Sequence, residues 1–236
     1  MLSDKPTVFE EGQVLLLNKP LYWTSFDLVN KVRIIIRSTL GIKKIKVGHA
    51  GTLDPLASGL MIICTGSYTK KIDEFRDLDK EYEATINLGA TTPSFDLETE
   101  TDKIFPTEHI TEDMVRKVLN EFIGEQMQMP PIYSAKLIQG KRAYEYARKG
   151  IVKNLEPVAI YFREIELLSL CLPELKIRVI CSKGTYIRSF ARDVGIALNS
   201  GGYLSALERT AIGPYNVSKA YKIEKFQEYV AQMKQN

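Results

Sequence analysis

The chain has 236 residues and a formal net charge of +3, from 32 basic and 29 acidic side chains. This length allows one large or two small domains with a substantial core, and an apolar content of 44% is typical of soluble globular proteins. The nearly balanced charge does not by itself indicate nucleic acid, so any RNA-binding surface must come from local clustering of basic side chains.

The cysteines indicate the redox compartment of the protein, and the histidines bear on whether it holds a metal ion. Cys64, Cys171 and Cys181 lie far apart in apolar runs, which predicts buried thiols in a reducing compartment. His49 and His109 are the only histidines, so no Cys/His metal cluster has a recognisable spacing. The sequence also shows neither a signal peptide nor an apolar run long enough to span a membrane. We therefore expect a cytoplasmic protein without a metal or a membrane partner.

The chain begins with a predicted strand and helix. Val14–Leu17 forms a short apolar run, and Thr24 or Ser25 can cap a helix that extends to about Leu40. Gly41 is a natural stop for that helix. Its apolar residues recur at helical spacing, which predicts one buried face.

A glycine-rich segment, Gly48–Leu60, follows and leads into the apolar run Met61–Cys64. Its glycines give the backbone freedom, whereas Pro55 fixes its own φ and favours an extended conformation at Asp54. The pattern predicts a stiff loop that holds one carboxylate at a set angle and is anchored by a buried strand. Spacing alone favours an ordinary tight turn, in which Asp54 bonds its own backbone, over a catalytic role.

The next part of the sequence predicts a strand, a polar loop and a helix. Glu81–Leu88 alternates as a strand whose apolar face begins at Tyr82, where the pattern alone favours a core tyrosine. Thr91–Asp102 predicts a polar loop. Thr111 caps a predicted helix that extends through Phe122.

The last part of the chain predicts two strands and two helices. The strands are Val158–Leu170 and Leu175–Cys181, and the second alternates clearly. A turn then leads into a helix that Thr185 would cap and that extends through Leu198. Lys222–Lys234 predicts a final helix with one apolar face.

Several of these segments resemble motifs of the TruB family of tRNA pseudouridine synthases. The glycine-rich segment matches the family pattern G-H-x-G-x-L-D-P-x-A-[ST]-G at every position. Lys80-Glu81-Tyr82 matches K-x-Y, and the segment that ends at Arg188 is close to [CS]-x-K-G-T-Y-I-R. Lys19–Ser25 resembles K-P-x-G-x-[TS]-S, with Tyr22 in place of the glycine. A tyrosine resists positive φ, so either the backbone differs here or the position tolerates a side chain.

The resemblance implies a role for each matched residue. Asp54 is implied to be the catalytic residue and Arg188 its partner. The other implied substrate contacts are made by Tyr82, which stacks on the target base, by Tyr186 and Leu207, which line the uridine pocket, and by His49, which helps to distort the RNA loop. RNA contacts are expected from Lys19 and, in a thumb-loop insertion at about 126–151, from Lys141 and Arg142.

The same resemblance implies an α+β fold, a mixed and mainly antiparallel sheet with flanking helices, in a single catalytic domain of residues 1–236. Many family members add a C-terminal PUA domain, but we expect none here, because about one helix follows the core, which is too little for such a domain. The implied reaction converts the uridine at position 55, in the T-loop of tRNAs, to pseudouridine. We expect no cofactor or metal, the T arm of tRNA as the partner, and a monomer.

Several alternatives stay open at this stage. Hydrolysis of the glycosidic bond usually needs a second acid, for which Glu81 is near Tyr82 in sequence. An RNA-folding chaperone would need the basic, aromatic thumb loop but no chemistry, and the same chemistry could act on another RNA. The sequence also does not decide whether Asp54 attacks the ribose C1′, attacks the base, or removes a ribose proton.

Overall fold

The computed structural model describes residues 8–134, 137–138, 140–142, 145–146, 151 and 155–234. Within them, the α-helices are α1 (Val8–Glu11), α2 (Ser25–Leu40), α3 (Ile72–Arg76), α4 (Glu112–Glu121), α5 (Ile187–Ala197) and α6 (Ile223–Gln232). The strands are β1 (Val14–Lys19), β2 (Val47–His49), β3 (Ala57–Thr65), β4 (Lys80–Leu88), β5 (Ala90–Thr91), β6 (Lys103–Ile104), β7 (Gly124–Gln128), β8 (Leu137–Ile138), β9 (Lys141–Arg142), β10 (Val158–Cys171), β11 (Glu174–Cys181), β12 (Gly202–Ile212) and β13 (Tyr215–Asn216). This confirms the expected α+β class. None of the described helices combines the length and apolar character needed to span a membrane.

The contacts divide the chain into two compact units. The first unit contains Met1–Tyr82 and Glu208–Asn236, and the second contains Glu83–Leu207. Strands β4 and β12 each contribute residues to both units. Because this division does not test independent folding, the expectation of a single domain stays a prediction.

Strand β3 is central to the first unit. It pairs with β1 in antiparallel register, with Lys19 opposite Gly59, and with β2, where His49 lies opposite Ile63. Most of β3 is buried, and its side chains form a core with Ala50 and Ile212. The buried strand predicted after the glycine-rich segment is therefore confirmed.

Helix α2 begins and ends as its sequence predicts. The hydroxyl of Thr24 accepts a hydrogen bond from the amide of Asp27 at 3.0 Å, and the Asp27 carboxylate accepts one from the Thr24 amide at 2.9 Å. This reciprocal arrangement satisfies two amides that the helix leaves unpaired. Gly41 ends the helix with φ 69°, a left-handed conformation that glycine adopts readily.

In the second unit, β10 pairs in antiparallel register with β11 and with β7. The ring of Phe190, on α5, lies 5.1 Å from that of Phe122 and 4.6 Å from that of Phe162, measured between centroids. These aromatic contacts fix α5 against the sheet. The predicted cap of α5 is wrong, because the helix is capped at Tyr186 and the Thr185 hydroxyl donates to the carbonyl of Ser182 at 3.0 Å.

The prediction of three buried thiols is also wrong in part. Cys64 and Cys181 are buried, and burial raises the pKa of the Cys64 thiol to about 11. Cys171 is exposed, because it is the last residue of β10 and lies next to the turn that leads into β11.

The predicted thumb loop is described only in part. Its β8 and β9 form a short antiparallel pair, in which Leu137 lies opposite Arg142 and Ile138 opposite Lys141. Ala135, Lys136, Gln139, Ala143 and Tyr144 lie outside the described residues, as do the side chains of Lys141 and Arg142. The RNA contacts expected from this loop stay predictions.

Gly59 is required where β3 approaches β12. Its φ is 109°, and a Cβ there would lie 2.4 Å from the carbonyl oxygen of Arg209. We predict that Gly59→Ala lowers the free energy of unfolding by about 2–5 kcal/mol, through backbone strain and this collision. Gly41→Ala is the control, because Gly41 also has positive φ but open space around it, and should cost about 1–2 kcal/mol. Equal losses in urea titrations would contradict the close approach.

Candidate active site

Asp54 lies between β2 and β3, on a loop whose backbone is fixed on both sides. The Ser25 hydroxyl donates to the carbonyl of Leu53 at 3.0 Å and accepts from the Leu53 amide at 2.8 Å. The amide of Tyr22 donates to the carbonyl of Pro55 at 2.8 Å, and the amide of Ala57 closes a turn on the carbonyl of Asp54 at 3.0 Å. The half-buried Asp54 is thus held on a stiff turn, as the sequence predicts.

Tyr22 shows how the chain accommodates the missing glycine of the K-P-x-G motif. Its φ is 66°, so the backbone keeps a left-handed conformation that favours glycine. The tyrosine side chain is 75% exposed. The position therefore tolerates a side chain because the ring projects into solvent.

Arg209, on β12, binds the glycine-rich segment on both sides of Asp54. Its side chain is only 1% exposed. The Nε atom donates to the carbonyl of Leu60 at 2.7 Å, and the two Nη atoms donate to the carbonyls of Thr52 at 3.4 Å and Gly51 at 3.3 Å. The planar guanidinium suits several acceptors at once. No role is predicted for Arg209 from the sequence, although it lies only two residues after Leu207.

Lys19 is fully buried next to the same segment. Its ammonium donates to the carbonyls of Trp23 at 2.7 Å and Pro20 at 3.0 Å. Burial lowers the pKa of Lys19 to about 8, whereas the charge of Asp54 opposes this shift and that of Arg209 adds to it. These contacts are consistent with a supporting role near Asp54, and the RNA contact expected from Lys19 stays a prediction.

His49 and Tyr82 also belong to the first unit. Burial lowers the pKa of His49, with a smaller opposing effect from the backbone of Gly51, so a neutral imidazole is expected near pH 7. Tyr82 is buried on β4, in agreement with the inward-facing position that alternation predicts. Their expected RNA and base contacts stay predictions.

Arg188 lies in the first turn of α5 in the second unit and is almost fully buried. Its guanidinium donates to the carbonyls of Tyr133 at 2.9 Å and Ser94 at 3.2 Å. Its Nε atom lies 3.5 Å from a carboxylate oxygen of Asp96, which is also buried. The sequence predicts only a polar loop around Asp96 and gives no sign of this ion pair. The pairing of Arg188 with Asp54 stays a prediction.

Gln128 fixes the start of α5 at Tyr186. Its side-chain oxygen accepts from the Tyr186 amide at 2.8 Å, and its side-chain nitrogen donates to the Tyr186 carbonyl at 3.1 Å. One buried amide therefore serves both backbone groups of a residue that the resemblance places in the uridine pocket. Leu207 is half-buried on β12. Across the described residues, no three His, Cys, Asp or Glu side chains are grouped to hold a metal ion.

We predict that Arg209→Met lowers the free energy of unfolding by about 3 kcal/mol or more, because it leaves three carbonyls without their donor. Catalytic turnover should fall as well, since the loop that carries Asp54 loses the hydrogen bonds that hold it in place. Denaturant midpoints and turnover would be measured together. The control is Arg116→Met, which removes an exposed pair with Glu112 and should change stability by less than about 0.5 kcal/mol. Similar effects of the two substitutions would contradict this role of Arg209.

Lys19 also predicts a pH dependence of stability. Its folded pKa of about 8 is below the ordinary 10.5, so the unfolded chain binds more protons between these pH values and stability rises with pH. The neutral amine still has hydrogens for both carbonyls. Between about pH 8 and about pH 10, the free energy of unfolding of wild type should therefore rise by about 1–2 kcal/mol relative to that of Lys19→Met. A constant difference would show that Lys19 keeps an ordinary pKa.

Known sequences similar to this chain belong to the same family that its motifs resemble. The sequence model of the TruB family pseudouridylate synthase N-terminal domain matches residues 37–187. The tRNA pseudouridine synthase B of Phocaeicola vulgatus is 57% identical over 224 residues, which cover 95% of each chain. The protein of the same name from Flavobacterium johnsoniae is 52% identical and covers 94% of this chain and 98% of its own.

Solved structures agree on the fold. A chain in a Cbf5–Nop10–Gar1 complex has a TM-score of 0.69 at 26% identity, covering 95% of this chain and 60% of that one. A chain in an H/ACA RNP bound to a substrate RNA containing 2′-deoxyuridine has a TM-score of 0.67 at 24% identity, and this chain spans 58% of its length. The family model covers more than half of the chain and the relatives cover nearly all of it, so the chain belongs to the TruB family of pseudouridylate synthases.

Proposed function

We propose that this protein converts the uridine at position 55, in the T-loop of tRNA, to pseudouridine. The observation that carries this proposal is the complete catalytic segment, in which Asp54 is held between anchored residues and braced by Arg209. The similar proteins from Phocaeicola vulgatus and Flavobacterium johnsoniae are named tRNA pseudouridine synthase B, which supports tRNA as the substrate. The T arm is the proposed binding partner, and the protein acts as a cytoplasmic monomer without a cofactor.

The reaction is an isomerisation. The bond between N1 and the ribose C1′ breaks, the base turns, and a bond forms between C5 and C1′. The C5 hydrogen leaves as a proton and N1 gains one, so no electrons are exchanged with a partner. One ionised carboxylate can serve as nucleophile or base, and the nearby charge of the Lys19 ammonium favours that ionised form. All three routes for Asp54 remain compatible with this arrangement.

The target base must leave its stack before it can react. Extruding a base costs a few kcal/mol, and stacking on an aromatic side chain returns about 1–3 kcal/mol per base. We assign that stack to Tyr82. Tyr186 and Leu207 line the uridine pocket, His49 displaces the RNA loop, and Arg188 supports the reacting carboxylate. Lys141 and Arg142 contact phosphates of the T arm.

Hydrolysis of the glycosidic bond is the competing reaction. It needs a second carboxyl group to activate water or protonate the leaving base. Glu81 is the candidate closest to Tyr82 in sequence, but its carboxylate accepts a hydrogen bond from the Thr210 hydroxyl at 2.7 Å. This contact favours a role for Glu81 in joining β4 to β12, and it leaves Asp54 as the acting carboxylate.

The decisive test uses a T-arm stem–loop that carries 5-tritiated uridine. Wild type should release tritium, because C5 loses its hydrogen when the new bond forms, and Asp54→Asn should lower the rate by at least about 1,000-fold. Asp73→Asn is the control, because that exposed carboxylate lies on α3 and pairs with Arg76. It should leave the rate unchanged.

The products distinguish the alternatives. Pseudouridine mapped to the T-loop position supports the proposal, whereas free uracil would indicate hydrolysis. Binding without release by wild type would favour an RNA chaperone, and release only from a different RNA would replace the proposed substrate.

A further inference from the structure

Tyr22 combines a strained backbone with an exposed ring. Its φ of 66° lies in the left-handed region, where a side chain with a Cβ costs folding free energy. The ring is 75% exposed, so core packing does not offset that cost. A locally unfavourable residue of this kind is characteristic of positions kept for binding.

The place of Tyr22 connects it to the reacting group. Its amide donates to the carbonyl of Pro55 at 2.8 Å, and Pro55 directly follows Asp54 in the chain. This hydrogen bond fixes the point from which the ring projects. Phe26, in the first turn of α2, is 67% exposed, so a second aromatic side chain four residues later is also exposed to solvent. Tyr22 is therefore hydrogen-bonded to the residue next to Asp54.

We infer that Tyr22 binds the RNA substrate by stacking its ring on an unpaired base that neighbours the target uridine. This inference rests on the proposed function. Unpaired bases bind aromatic side chains through their faces without a required sequence. A tyrosine also loses little conformational entropy on binding, since it has only two side-chain torsions. The family pattern has glycine at this position, so the contact adds to those that the motif implies.

The test compares Tyr22→Phe and Tyr22→Gly in an Asp54→Asn background, where RNA binds without turnover. Fluorescence anisotropy with a labelled T-arm stem–loop gives Kd, measured well below the Tm of each variant. Tyr22→Gly should raise Kd by about 5- to 100-fold, the loss expected for one base–aromatic stack, whereas Tyr22→Phe should stay within about twofold. Glycine accepts the left-handed φ, so its Tm should be unchanged or about 2–4 °C higher.

A second measurement detects stacking of the tyrosine ring on a base directly. With 2-aminopurine placed singly at each unpaired position of the loop, the parent should quench its fluorescence at one position, and Tyr22→Gly should lose that quenching. Asn199→Gly is the matched control, because Asn199 is an exposed residue with φ 53° outside the proposed site. It relieves backbone strain of the same kind and should leave Kd unchanged.

The outcomes separate this inference from the proposed function. Binding by the Asp54→Asn parent that Tyr22→Gly does not weaken would overturn the stacking role alone. A fall in Tm with unchanged Kd would assign Tyr22 to folding and overturn it as well. No binding of the stem–loop by the parent would overturn the proposed substrate, and this inference with it.

Discussion

The geometry around Asp54 depends on the buried guanidinium of Arg209. Its three hydrogen bonds reach carbonyls on both sides of the catalytic turn, at Gly51, Thr52 and Leu60. A lysine could not replace it, because a single ammonium lacks the planar fork that serves three separated acceptors. Gly59 makes this contact possible, since any Cβ there would collide with the Arg209 backbone. The turn is therefore defined by a strand that lies far away in sequence.

The same arrangement buries two cations, Lys19 and Arg209, beside the segment that carries Asp54. A buried ammonium or guanidinium is costly unless hydrogen bonds and opposite charge replace its water. Lys19 and Arg209 obtain these hydrogen bonds from backbone carbonyls. Burial is the main cause of the lowered pKa of Lys19, the charge of Asp54 opposes this shift, and repulsion by Arg209 adds to it more weakly.

Sequence patterns predicted the elements that depend on local rules. Thr24 and Gly41 bound α2 as expected, and the apolar run after the catalytic turn is a buried strand. The errors occur where a distant residue supplies the contact. Thr185 does not cap α5, because Gln128, 58 residues earlier, already binds both backbone groups of Tyr186. Asp96 was likewise missed as a partner of Arg188, because no periodic pattern relates a loop carboxylate to a helix 92 residues later.

Arg209 illustrates the same limit at the site itself, since 149 residues separate it from Leu60. A lone arginine in a strand is most simply interpreted as exposed, and only the fold shows that its partners are carbonyls. For Tyr22, the sequence itself shows a tyrosine where the family pattern has glycine. It does not show whether the backbone keeps the conformation that favours glycine. The backbone keeps the glycine conformation, since the amide of Tyr22 must reach the carbonyl of Pro55. The requirement to hold the turn that carries Asp54 therefore decides the backbone at Tyr22, and the tyrosine ring is left exposed to solvent.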